Sequence, residues 1–363
     1  MTGQNSIKNI DYTLLTAILI IAGAGIAFIY SASFGVSGAV NYPLRQAGWV
    51  GIGIVFMAAA LVIDYRHFVR LAYFLYFISL AALVLVAVHG RTVGGAQRWL
   101  TLGGFTFQPS EFVKFTLVLA LAKFFGNREG QVKSLKSLAG AAALVFIPMA
   151  LVIQQPDLGT ALLLMPVFFA IVFSAGVPAR YLGAILSGGL AVLPLFWFIL
   201  KDYQKSRLMV FWNPDIDPLG AGYSINQSRI AIGSGGFLGK GWLSGTQTQL
   251  SFLPENRTDF IFSTVGEEFG FVGAVLVIAL YTFVVMRGIR IARESRDLSG
   301  ALLASGVSVM LVLHMFVNIG MAAGILPVVG MPLPLLSYGG SATISALIAL
   351  GLLINVRARR FTY

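Results

Sequence analysis

The sequence predicts an all-α, polytopic membrane protein of ten transmembrane helices, with one large external loop between helices 7 and 8. Three observations carry this. Hydrophobic residues make up 57% of the 363, and charged residues only 11%, against roughly a quarter charged in soluble domains. The apolar residues fall into runs near the ~20 residues that cross a bilayer as a helix. One polar stretch, 201–260, rich in Gly and Gln and mixed in charge, interrupts them. Loops that long are uncommon and usually functional.

The predicted spans are 12–33, 44–63, 68–88, 109–126, 138–155, 159–176, 179–200, 260–286, 299–322 and 333–356. The first run is too long for the apolar core of a cleaved signal and reads as a span. Pro148, Pro166 and Pro194 fall inside spans, which packed membrane helices tolerate. The chain 1–363 reads as one transmembrane domain.

Orientation follows from basic residues, which gather on the cytoplasmic side. With the N-terminus inside, the inner segments hold Lys8, Arg66, Arg70, Lys123, Arg128, Lys133, Lys136 and Arg180. They also hold Arg287, Arg290, Arg293, Arg296, Arg357, Arg359 and Arg360. Three short outer loops, 34–43, 156–158 and 323–332, hold none. Loop 201–260 holds six, but long loops follow the rule poorly. Both termini are thus expected in the cytoplasm and the loop outside. The net charge of +11 belongs to this asymmetry rather than to a nucleic-acid partner. The absence of cysteine excludes disulfides, thiolate metal sites and a cysteine nucleophile.

Within RTVGGAQRWLTLGGFTFQPSEFVKF (91–115), a Gly-rich turn and Trp99 suit an interfacial hairpin. Pro109 can open a helix. Glu111 and Lys114 then share one face at i, i+3, as a structural ion pair or as the lining of a site for an anionic lipid headgroup. In QQPDLGT (154–160), Asp157 caps the next helix or meets substrate or a basic loop residue.

GSGGFLGKG (233–241) nearly spells a phosphate-binding loop. Ser234 stands where its first Gly is required and Gly241 where Ser or Thr is required, so the motif fails. Lys240, Trp242, Gln247 and Gln249 remain a candidate surface for pyrophosphate and sugar, or a packed external loop. A short amphipathic or re-entrant piece around 222–243 is compatible with the pattern.

LPENRTDFIFSTVGEEFG (253–270) carries four carboxylates at the start of a span, expensive unless they face a cavity or partners. If Pro254 opens the helix, Glu255 and Asp259 share a face, with Glu267 and Glu268 about two turns deeper. Neutralisation by Arg257 and other cations is the expectation for Glu267 and Glu268. Asp259 is the functional candidate, at the water–membrane boundary. Glu111, Lys114, Asp157 and Asp259 are expected to converge on one outward-open cleft.

His314 and Asn318 share a face at i, i+4, and His314 alone reads as a hydrogen-bonded interior residue. His67, His89 and His314 form no metal motif. Pro327, Pro332 and Pro334 exclude a regular helix between the last two spans, and Gly339 and Gly340 allow a broken helix end. Broken helices at membrane depth line cavities.

These residues carry a resemblance. Asn318, Gly324, Pro327, Gly330, Ser337, Tyr338, Gly339, Gly340 and Ser341, with RWLTLGGFTFQPSEFVK and QPDLGT, resemble blocks of the SEDS family (shape, elongation, division and sporulation). GGFLGKGWLSGTQTQLSFLPENRTDF, with its GKGW and GTQ, looks like the RodA branch rather than the FtsW division branch. The family usually has Glu-Arg-His-Thr-Asp where this chain has Glu255-Asn256-Arg257-Thr258-Asp259, so Arg257 takes the usual His position.

The resemblance implies ten transmembrane helices with the large loop after the seventh. It implies a peptidoglycan glycosyltransferase that polymerises lipid II outside the membrane with a class B penicillin-binding protein. The family's essential acid maps onto Asp259. The donor would be a glycan on undecaprenyl pyrophosphate and the acceptor a GlcNAc 4-hydroxyl. Going from an α-linked donor to a β-1,4 product inverts the anomeric carbon, so one in-line displacement suffices. That needs a general base, Asp259, and positive charge for the departing pyrophosphate. Lys114, Lys240, Arg98 and Arg257 are the candidate cations. A divalent ion, magnesium or manganese, could assist, but no ligand cluster marks a site. A lipid II flippase and a non-catalytic scaffold of the elongation complex are the rival readings.

Overall fold

The computed structural model describes residues 9–34, 41–93, 96–102, 105–127, 135–199, 202–213, 216–217 and 220–360. Lys8, Arg128 and Lys133 lie outside them. Helices dominate. α1 (Tyr12–Ser33) and α2 (Tyr42–Val62) begin on side-chain caps, Asp11 and Asn41. A short α3 (Tyr65–Arg70) and α4 (Ala72–His89) share the third predicted span, which therefore starts later than expected, after a break at Leu71. Then come α5 (Pro109–Gly126), α6 (Leu135–Gln154), α7 (Leu158–Ser174) and α8 (Ala179–Ile199).

α1, α2, α4, α6 and three later helices are long and apolar enough to cross a membrane: α12 (Ile261–Glu294), α13 (Leu298–Ala322) and α14 (Gly340–Ala358). α7 is apolar but shorter. α5 carries Glu111, Lys114 and Lys123. It packs against α4, α6, α7, α13 and α14, and nearly all its side chains are buried. A helix enclosed on every side is the natural place for an all-round apolar sequence. The Glu111–Lys114 pair therefore stands at the start of the central helix.

Three further features differ from the sequence expectation. The protein is not wholly α-helical. β1 (Arg91–Val93), β2 (Ala96–Leu102) and β3 (Phe105–Phe107) form an antiparallel sheet, pairing Arg91 with Trp99 and Leu100 with Phe107. Gly-Gly stands between each pair of strands in the sequence, the composition that tight hairpins favour. The polar stretch after α8 holds helices as well as turns: α9 (Asp202–Trp212), α10 (Ala221–Ser234) and α11 (Thr246–Gln249). α10 overlaps the stretch 222–243, for which the sequence pattern was compatible with a short amphipathic or re-entrant piece.

The third difference lies at two helix starts. Pro254 does not open α12. Residues 254–260 are turns, Glu255 takes φ +49°, and Thr258 and Phe260 N–H groups both bond its carbonyl at 3.2 Å. The last helix begins at Gly340 rather than 333, after Leu335 at φ +70°. Ser337 Oγ fixes that turn, accepting from Leu333 N–H at 2.9 Å and donating to the Thr258 carbonyl at 2.6 Å. α12 also runs past 286 to Glu294, where Arg290 pairs with Glu294 at i, i+4.

α12 is broken at Gly270, whose φ of 61° and ψ of −153° leave the helical region. Residues 236–241 fill the break. Lys240 and Gly241 N–H groups bond the Glu267 and Glu268 carbonyls, both at 3.0 Å. Phe271 and Val272 N–H groups bond the Gly236 and Phe237 carbonyls at 2.9 and 3.2 Å. The backbone groups freed by the break are thus paired within the protein, as membrane depth demands. That is what the failed phosphate-loop look-alike does here.

Candidate active site

The site is assembled from β2, the starts of α5 and α7, α9, the turns before α12, α13 and the segment 323–339. β2 supplies Arg98. Its Nε donates to the Gln155 carbonyl at 3.2 Å, its Nη2 donates to the Pro156 carbonyl, and Nη1 lies 3.7 Å from Asp157 Oδ1. Asp157 caps α7 as the sequence implied, accepting from Thr160 N–H at 3.3 Å and Thr160 Oγ1 at 2.9 Å. It also accepts from Ser110 Oγ at 3.2 Å, in the first turn of α5. Asp157 is buried, so cap and basic partner are both real.

Asp259 lies just before α12, half-buried. Asn318 Nδ2 donates to its backbone carbonyl at 2.9 Å and to the Met331 carbonyl at 2.7 Å. Its Oδ2 faces Gly330, where an added Cβ would stand 3.4 Å away. Burial pushes the Asp259 carboxyl up to about 6. Glu255 and Asp157 add to the push, while Arg207 and Arg98 oppose it. These four charged residues are therefore its electrostatic neighbours.

The segment 323–339 roofs this group. Arg207 Nη1, on α9, donates to the Val328 carbonyl at 3.2 Å. An added Cβ on Gly159, in α7, would meet the Val329 carbonyl at 2.8 Å. Sequence reasoning missed Arg207. It is one of the loop's six basic residues, and nothing in its local pattern separates it from Lys205 two positions earlier.

Glu111 and Lys114 occupy a neighbouring cell. Lys114 Nζ donates to Glu111 Oε1 at 2.8 Å and contacts His314 Nε2 at 2.9 Å. All three are buried. They line a cavity of about 10 Å³ with Pro332, Pro334 and Ser345, room for about one water. Asp157 and Asp259 do not line this small cavity, so the four residues expected in one open cleft fall into two adjacent groups. Ser110 links the two cells, being next to Glu111 and bonded to Asp157.

The other residues singled out from the sequence have structural partners. Lys240 Nζ binds Glu267 Oε1 at 2.8 Å. Glu267 also accepts from Gln247 N–H, Thr248 N–H and Thr248 Oγ1 at 2.8–3.0 Å. Lys240, not Arg257, thus neutralises that carboxylate. Glu268 accepts from Ser31 Oγ. Arg257 lies 4.6 Å over the Tyr42 ring and donates from Nε to the Ala32 carbonyl at 3.2 Å. Its guanidinium is turned to α1 and α2. Glu255 is exposed and accepts from Thr258 Oγ1 at 2.9 Å. Among the described residues no three His, Asp or Glu side chains are grouped to hold a metal ion.

The model of the FtsW/RodA/SpoVE cell cycle proteins matches residues 12–361. This chain belongs to that family. A relative in the FtsW/RodA/SpoVE family, the peptidoglycan glycosyltransferase MrdB of Escherichia coli K12, is 43% identical over 97% of this chain and 94% of its own. The peptidoglycan glycosyltransferase RodA of Treponema pallidum is 35% identical over 98% of this chain and 99% of its own. Solved structures of the family agree in fold. The crystal structure of the rod shape determining protein RodA of Thermus thermophilus matches at TM-score 0.74 and 33% identity, over 98% of both chains. A chain from a peptidoglycan synthase complex that coordinates polymerization and crosslinking matches at TM-score 0.83 and 33% identity, over 97% of this chain and 98% of that one.

Proposed function

We propose that this multi-pass membrane protein is a peptidoglycan glycosyltransferase that polymerises lipid II into β-1,4 glycan strands for cell elongation and rod shape. The observation that carries the residue assignment is Asp259, a half-buried carboxylate with its carboxyl pushed up to about 6. At neutral pH such a group is mostly ionised yet more basic than an ordinary carboxylate, which suits a general base. Asp259 takes the proton of the acceptor hydroxyl as that oxygen attacks the anomeric carbon. The bond to pyrophosphate breaks in the same step, and configuration inverts.

Arg98 and Arg207 are the cations that face Asp259 and stabilise the charge developing on the departing pyrophosphate. Asp157 holds Arg98 in place. Lys114, paired with Glu111, supplies a third positive group in the adjacent cell. Glu255 tunes Asp259, and Lys240 and Arg257 support the loop that carries it.

The reading extends to topology and partner. Ten helices cross the cytoplasmic membrane, both termini lie in the cytoplasm, and the stretch 201–260 faces out with the site. Lys136 and Ser244 are exposed, so cysteines placed there should label from opposite sides. Labelling of both from the same side of intact cells ends this topology. The partner is a class B penicillin-binding protein, supported by the likeness to a chain from a peptidoglycan synthase complex.

Purified protein with this partner and lipid II in vesicles tests the activity. Glycan polymer is the expected product. Translocation without polymer would make the protein a lipid II flippase, and neither would leave a scaffold.

A further inference from the structure

His314 is buried inside α13 and is not required by the displacement described above. Its ring makes two contacts. Nδ1 lies 2.8 Å from the Met310 carbonyl, and Nε2 lies 2.9 Å from Lys114 Nζ. A carbonyl only accepts, so Nδ1 carries the hydrogen. An ammonium only donates, so Nε2 offers its lone pair. Both contacts are met by one state, the neutral Nδ1–H tautomer. An imidazolium would set an N–H against the ammonium.

Lys114 has three N–H bonds to place. Glu111 Oε1 takes one at 2.8 Å and His314 Nε2 takes another at 2.9 Å. With two directions fixed, tetrahedral geometry fixes the third. The small chamber lined by Pro332, Pro334 and Ser345 adjoins this group. A carboxylate in place of His314 would cancel the lysine's charge twice over. A neutral acceptor aims the ammonium and leaves the pair's balance unchanged. The same face of α13 carries Asn318 one turn on, which grips the Asp259 carbonyl and the Met331 carbonyl. One rigid helix therefore references both Lys114 and Asp259.

We propose that His314 is a positioning residue: as a neutral hydrogen-bond acceptor it aims the Lys114 ammonium for glycosyl transfer. This rests on the reading of Lys114 as a cation of the site. Acceptor strength and direction are what matter, so a glutamine amide oxygen should substitute and a hydrocarbon should not.

The test is lipid II polymerisation by the purified protein and its partner in vesicles. His314→Leu should lower kcat about tenfold, the scale of losing one hydrogen bond to a charged group, with KM for lipid II changed less. His314→Gln should stay within about threefold of wild type. In a Lys114→Met background, already slow, His314→Leu should cost almost nothing more, because the two act as a unit. A merely structural histidine would not give that non-additivity. Thermal unfolding is followed in parallel, and His314→Met replaces the leucine variant if that one does not fold. Wild-type kcat in the apolar variant overturns the proposal. So does an equal loss with glutamine, or a full extra tenfold loss on Lys114→Met. Wild-type activity of Lys114→Met itself overturns instead the role given to Lys114.

Discussion

Asp259 and Gly330 face each other across the site, with an added Cβ on Gly330 only 3.4 Å from Asp259 Oδ2. Gly330 holds φ +70°, where a side chain costs about 1–2 kcal/mol. Gly330→Ala should therefore lower stability by about 1 kcal/mol and activity by more than that loss explains. Thermal unfolding and the polymerisation rate, measured on one preparation, check the disproportion. Equal activity at reduced stability would separate the roof from the chemistry.

Asp259→Asn keeps the shape and removes the base. The polymerisation rate should fall about 10²–10⁴-fold. The sign of the stability change follows from the raised pKa. A carboxyl raised in the folded state contributes stability below the unfolded value of 3.8 that is lost as pH rises through about 6. At neutral pH the ionised group opposes folding, so Asp259→Asn should unfold at the wild-type temperature or above it. A lower unfolding temperature would reassign Asp259 to structure.

The pH profile follows from the same group. The rate should fall as pH drops through about 6, where Asp259 takes up its proton. Burial is the leading cause of the shift and Glu255 the next. Glu255→Gln should therefore move the acid limb to lower pH without bringing it to that of an ordinary aspartate. A limb that does not move in the variant would remove Glu255 from the site's electrostatics.

Lys240→Met leaves the buried Glu267 with four hydrogen bonds, from Thr246 Oγ1, Gln247 N–H, Thr248 N–H and Thr248 Oγ1, and no cation. A loss of about 1–3 kcal/mol is expected, with activity falling in step with stability. Activity lost at unchanged thermal stability would return Lys240 to the substrate surface.

Gly270→Ala tests the helix break. Its backbone lies in a region open almost only to glycine, at a cost of about 1–3 kcal/mol for other residues. An added Cβ would also stand 2.4 Å from Gly239 N. Yield in membranes and the unfolding temperature should both drop. A variant as stable as wild type would mean that 236–241 is not locked into α12.

Period and composition alone determined much of this protein. The hydrophobic runs marked stretches that are helical, because a span must pair its own backbone and an apolar surface of that length has no other stable use. Asp157 as a cap, Pro109 as a helix opener and Glu111–Lys114 as a pair were legible because each depends on neighbours within one turn. What depends on distant neighbours was not legible. Pro254 signals a helix start, yet Tyr338 N–H and Ser337 Oγ donate to the Arg257 and Thr258 carbonyls and hold 254–260 in turns. The Lys240–Glu267 pair spans 27 positions and the Lys114–His314 contact 200. Arg207 carries no local mark of its place opposite Asp259. Local propensity sets which segments form helices. Which charges meet is set by packing, since burying one demands a partner from wherever the fold can bring it.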